Sequence, residues 1–146
     1  MKPILRSYLT EINLGTTTPG NGQNINFTDY AELRDIYITG IEAFDNDQVT
    51  VSPSGKTVVN VLTGITLTLL DVYNQEIIKS YPTYDLNPVN VAGFYRNIYP
   101  FPLQLTKSYI SILDNTGLNA AESVIFNIFY VKKADWPKYR AQYVRQ

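Results

Sequence analysis

Histidine and cysteine are both missing from this 146-residue chain, and charged side chains make up only 17% of it. Each absence removes a class of chemistry. Without histidine there is no imidazole general base, no Ser-His-Asp triad and no histidine metal ligand. Without cysteine there is no thiolate nucleophile, no disulfide and no cysteine zinc site. The missing disulfides do not decide the compartment, because a sufficient core or an assembly replaces them. No stretch approaches the ~18 apolar residues of a membrane-spanning helix. Met1-Lys2-Pro3-Ile4-Leu5-Arg6 carries charge with no apolar run behind it, so a cleaved signal peptide is not expected and the chain should be soluble when made.

The scarcity of charge has a second consequence, since a soluble domain ordinarily carries ~25% charged residues. Polar surface must come from Asn, Thr, Ser, Gln and the 12 tyrosines. Neutral groups lose less hydration than ions when covered, which favours contact with other chains. The formal net charge is -1, but Lys132, Lys133, Lys138, Arg140 and Arg145 face only Asp135 over residues 132–146. Asp29, Glu32, Asp35, Glu42, Asp45 and Asp47 face a single Arg34 between residues 29 and 47. Patches of opposite sign steer copies of a chain into head-to-tail contact; a solvated tail and a solvated loop are the alternative.

The length fits one domain. Ile4, Tyr8 and Ile12 share a helical spacing that Thr10 and Asn13 weaken, and a Gly/Thr/Pro/Asn run follows over residues 15–22. We expect residues 1–30 to form an extended N-terminal arm, loosely held unless a neighbour binds it. From Leu33 the pattern is strand-like, with Ile36 and Ile38 alternating and Gly40 shifting the register in the manner of a β-bulge. Val49 and Val51 suggest a short strand. Ile65, Leu67 and Leu69 alternate with Thr66 and Thr68, predicting a half-buried strand with threonines outside. Asn74-Gln75 is the expected turn of a hairpin whose return strand Pro82 closes. Pro100 and Pro102 suit an edge strand, and Tyr109 to Leu113 and Glu122 to Val131 read as two more strands. The last is apolar on both faces, so it should be central and covered twice, or covered by another subunit. Asp135-Trp136-Pro137 begins like a helix.

About seven or eight short strands without a long helical pattern predict an all-β antiparallel sandwich, as a single jelly roll. Its expected extent is residues 31–131, between the arm and a basic, aromatic tail over residues 132–146.

Asp45-Asn46-Asp47 is the one compact oxygen-ligand cluster in the sequence. It lacks the glycine and distal glutamate of an EF-hand loop, and a strand-ending turn is the favoured reading. Asp71 with Glu76, or Asp85 with Asp114, are carboxylate pairs with no signature fixing their separation, so neither predicts acid–base catalysis. No catalytic residue, metal ligand or cofactor is expected. The residues expected at an interface are Tyr95, Tyr99, Trp136, Tyr139, Arg140 and Tyr143. Tyrosine and tryptophan combine large apolar area with a polar tip, as interfaces and sugar platforms require. Trp136, Tyr139, Arg140 and Tyr143 fall on one helical face, which needs a groove on this chain or a neighbour. The basic tail could stack single-stranded nucleic acid, but a pI near 5.3 and no basic stripe elsewhere argue against it.

The run from Ile65 to Ile78, followed by Tyr81-Pro82, resembles the central hairpin of small phage virion proteins. Pro100 to Leu105, Lys107 to Ile110 and Glu122 to Tyr130 resemble the closing strands of the same sandwich. Over residues 33–131 the chain is similar to the single-jelly-roll penton, or vertex, proteins of tailless icosahedral bacteriophages. The resemblance implies a homo-oligomer, most simply a pentamer at the fivefold vertex. Its partners would be the major capsid protein and a spike protein, its location the virion, and its assembly the host cytoplasm. A carbohydrate- or receptor-binding module of a fibre or spike, or a head-decoration or tail protein, is the competing expectation.

Overall fold

Alternation, bulges and turn residues place the strands. The computed structural model describes residues 4–15, 19–45, 60–88, 98–115 and 122–144. Eight strands form: β1 (Arg6–Asn13), β2 (Asn24–Asn26), β3 (Ile36–Asp45), β4 (Ile65–Leu70), β5 (Glu76–Pro82), β6 (Phe101–Pro102), β7 (Tyr109–Ile112) and β8 (Ser123–Lys132). Among the described residues, short 3-10 turns and two helices, α1 (Asn60–Thr63) and α2 (Trp136–Val144), accompany them.

The strands make two antiparallel four-stranded sheets, ordered β1-β8-β3-β6 and β2-β7-β4-β5, the framework of an all-β sandwich. The pairing follows a single rule. First pairs with last, second with seventh, third with sixth and fourth with fifth, and the β3–β8 and β4–β7 pairs join these into sheets.

The core lies between the sheets. Ile12, Ile38, Ile41, Ala43, Val124, Phe126, Ile128 and Tyr130 come from one sheet, and Ile65, Leu67, Leu69, Ile110 and Ile112 from the other. Phe27, just after β2, packs its ring 5.3 Å from that of Phe126. Each such side chain contributes about 1.5–3 kcal/mol on burial, so truncating Phe126 to alanine costs about 3–5 kcal/mol. Buried polar groups are bonded at the end of the sandwich. The Thr83 hydroxyl lies 2.9 Å from the carbonyls of both Leu62 and Ile65, and the Asn87 amide donates to the Ala43 carbonyl at 3.0 Å.

Several local expectations hold. The β3 register shifts between Ile38 and Gly40, where the glycine interrupts the alternation. Asn74 takes φ 62 in the β4–β5 turn, and β5 ends at Pro82. β8 is the central strand between β1 and β3. Helix α2 starts at Trp136 with Pro137 in its first turn. The short strand expected at Val49 and Val51, with Asn46 and Asp47, lies outside the described residues.

Other expectations are revised. Residues 6–13, read as part of a loosely held arm, pair with β8 along their whole length, and Ile12 and Leu14 enter the core. Thr66 and Thr68, expected at the surface, are buried. The Thr68 hydroxyl accepts a hydrogen bond from the Ser80 N–H at 3.1 Å, replacing a ladder acceptor where β5 leaves register.

Candidate interface

The outer face of the β1-β8-β3-β6 sheet follows from the pleat. With Val124, Phe126, Ile128 and Tyr130 in the core, Ile125, Asn127, Phe129 and Val131 point to the opposite side of β8. Register places Glu11 and Phe44 beside Ile125, Leu9 and Glu42 beside Asn127, and Tyr37 beside Val131. This face is largely apolar. Its polar centre is internally bonded, with the Asn127 amide donating to the Glu42 carboxylate at 3.3 Å.

Helix α2 folds back at one end of this face. The Trp136 ring stacks on Tyr37 with centroids 4.2 Å apart and planes 2° from parallel, and Tyr139 tilts against Trp136 at 5.9 Å. The groove needed by Trp136 is therefore supplied by its own chain, and the tail is joined to the sandwich. Arg140 is exposed on the same helix, and Tyr99 is 81% exposed beyond the β6 edge. Tyr95 and the side chain of Tyr143 lie outside the described residues.

The β1 edge is the second notable surface. Leu14 N–H donates to the Glu122 carbonyl at 2.8 Å, continuing the β1–β8 register beyond the strands. Antiparallel alternation then directs the backbone groups of Arg6, Tyr8, Thr10 and Ile12 toward β8, and those of Ser7, Leu9 and Glu11 away from it. Glu11 is closed by one side chain. Its N–H donates to the Tyr30 hydroxyl at 3.0 Å, and that hydroxyl donates to the Glu11 carbonyl at 3.2 Å. Leu5, Tyr8 and Leu9 leave 46%, 36% and 56% of their surface exposed along this edge. Sequence periodicity had missed the edge because Tyr8 and Ile12 also fit a helical spacing.

Beside the edge sits an ionic cluster. Tyr130, 1% exposed, donates a 2.6 Å hydrogen bond to the Glu32 carboxylate. Arg6 and Lys132 approach the same carboxylate at 3.5 and 3.7 Å. Burial, reinforced by the adjacent carboxylate, pushes the Tyr130 phenol up to about 12. The Tyr130 hydrogen bond, then the charges of Lys132 and Arg6, hold the Glu32 carboxyl below its usual range against a smaller opposing desolvation.

Two of the candidate carboxylates, Asp71 and Glu76, have structural partners. Asp71 accepts from the N–H groups of Tyr73 and Gln75, each at 2.9 Å, and Glu76 accepts from the Tyr109 hydroxyl at 3.1 Å. No group of three or more Asp or Glu residues capable of holding a metal occurs among the described residues. A shallow cleft of about 250 Å³ opens between Tyr30, Arg34, Asp35, Gln104 and Thr106. It is smaller than the ~300–1,000 Å³ of ordinary ligand pockets, and the fork of Arg34 is already occupied by Asp29.

Comparisons with protein-family models, curated proteins and solved structures found no match.

Proposed function

We propose that this protein is a structural component of a virion shell, a single jelly roll that works by assembling with copies of itself and with a neighbouring shell protein. The fivefold vertex is its sharpest assignment. The observation that carries this reading is the pairing rule of the strands. Eight strands paired first with last, second with seventh, third with sixth and fourth with fifth describe one long hairpin rolled into two sheets. That arrangement supports the jelly-roll reading, a fold used by viral capsid proteins, lectins and cupins. A cupin-like metal centre is disfavoured here by the absence of histidine from the sequence.

Three features support assembly. The outer face of β8 is largely apolar, the β1 edge bears exposed Leu5, Tyr8 and Leu9, and charge is scarce. In such an assembly, subunits bury apolar and tyrosine-bearing flanks, and an obligate contact buries roughly 2,000 Å² or more. Association entropy offsets much of the resulting gain, so area alone does not set affinity.

Native mass measurement, alone and with the capsid protein of its virus, tests the reading. Five copies and incorporation into particles are expected. Three copies would point to a spike or fibre, and a single chain that never enters particles would overturn the proposal.

A further inference from the structure

We propose that β1 is a docking strand for a second copy of this chain, the two β1 strands pairing antiparallel across a twofold axis at Tyr8. The proposal goes beyond the vertex reading and does not depend on it.

The two sheets have four edges, β1 and β6 in one and β2 and β5 in the other. Natural proteins blunt edge strands by shortening them, bulging them, inserting proline or covering them. β2 has three residues. β5 leaves register twice and carries Ser80 at φ 50. β6 has two residues, one of them Pro102, whose carbonyl accepts the Val72 N–H at 3.1 Å. Between Ser7 and Leu9, β1 has none of these devices among the described residues. It is eight residues long, free of proline and in unbroken register with β8.

Its outward backbone groups also differ along its length. Glu11 is closed by Tyr30, whereas Ser7 and Leu9 have no hydrogen-bond partner on that side among the described residues. Alternating donors and acceptors on an extended backbone fit another strand ~4.8 Å away. Among the described residues a copy of this chain offers only its own β1 as an equally open edge, so the pairing is reciprocal.

One register satisfies this condition. With Tyr8 opposite Tyr8, Ser7 of one copy faces Leu9 of the other, and each exchanges N–H and C=O bonds with its opposite. Arg6 then faces Thr10. One step further Leu5 faces Glu11, where the Tyr30 hydroxyl already occupies the edge, so the ladder stops. The exposed side chain of Tyr8 meets its counterpart, Leu9 lies over Ser7 of the other copy, and the two sheets become one of eight strands.

Sedimentation and amide hydrogen exchange over a concentration series test the pairing. Mass should double with concentration, from one chain to two or, where fivefold rings form, from five to ten, while the Ser7 and Leu9 amides slow by about ten-fold or more and those of Tyr8 and Thr10, bonded to β8, do not change. In L9P the proline removes an N–H that faces the open edge and leaves the β8 ladder intact, so a folded single chain is expected. A single chain at every concentration overturns the proposal. So do dimers or larger assemblies with unchanged Ser7 and Leu9 exchange, dimerisation that survives L9P, or an assembly of an odd number of copies with those amides protected. Pentamers whose β1 amides stay unprotected would sink this contact and leave the vertex reading standing.

Discussion

Tyr130 donates its phenolic hydrogen to the Glu32 carboxylate at 2.6 Å, joining the buried face of β8 to the turn before β3. The two groups titrate at opposite ends of the pH scale. Glu32 is depressed when folded, so its contribution is complete above the ordinary carboxyl value of 4.5 and fades as pH falls through the folded value. Tyr130 is raised when folded, so its contribution is complete below 10.0 and fades as pH rises toward about 12. Chemical denaturation across pH should show both limbs. Y130F should remove the alkaline limb and cost about 1 kcal/mol, less than is usual for a hydrogen bond to a charged group, because Glu32 can regain water. E32Q should flatten the acid limb.

The stack of Trp136 on Tyr37 has an optical readout, because Trp136 is the only tryptophan. Y37A should shift the emission to the red and release helix α2 from the sheet. The lost ring pair should cost about 0.5–1.5 kcal/mol beyond the lost burial. Emission unchanged from the parent protein would mean that the helix is held by other contacts.

Gly64 tests close backbone approach. A Cβ there would collide with the Asp114 carbonyl oxygen, and the Gly64 carbonyl accepts the N–H groups of Leu113 and Asp114. G64A must push one backbone segment from the other and should lower stability by about 1–3 kcal/mol or more. G20A meets no atom within 4 Å and should leave the denaturation midpoint nearly unchanged.

Asp71 holds the β4–β5 turn through the Tyr73 and Gln75 N–H groups while itself buried. D71A should cost about 1–3 kcal/mol by leaving those donors unpaired, and D71N, which keeps an acceptor oxygen, should cost less. Equal losses in the two variants would shift the explanation from hydrogen bonding to charge.

Signals confined to a few neighbouring residues were legible. Gly40 marked the bulge, Asn74 the turn and Pro82 the strand end, because each conformation is set by that residue's own backbone. Signals that need a distant partner were not. The β1 strand was ambiguous because Tyr8 and Ile12 fit two periodicities, and only the β8 pairing selects one. Thr68 reads as a surface residue until Ser80 supplies its donor. For the interface, composition drew attention to Trp136 and Tyr139, but the same-chain partner Tyr37 lies 99 positions before Trp136 in sequence. The Tyr30 closure of Glu11 spans 19 positions and carries no local motif.

The first-with-last pairing imposes an order on biosynthesis. β8 supplies the middle of its sheet, with β1 on one side and β3 on the other, so those earlier strands wait for residues 123–132 before their sheet can exist. Contacts separated by more than a hundred residues carry a large loop-closure cost and slow the folding step. During translation the emerging chain must therefore hold β1 and β3 apart from neighbouring nascent chains until the eighth strand clears the ribosome.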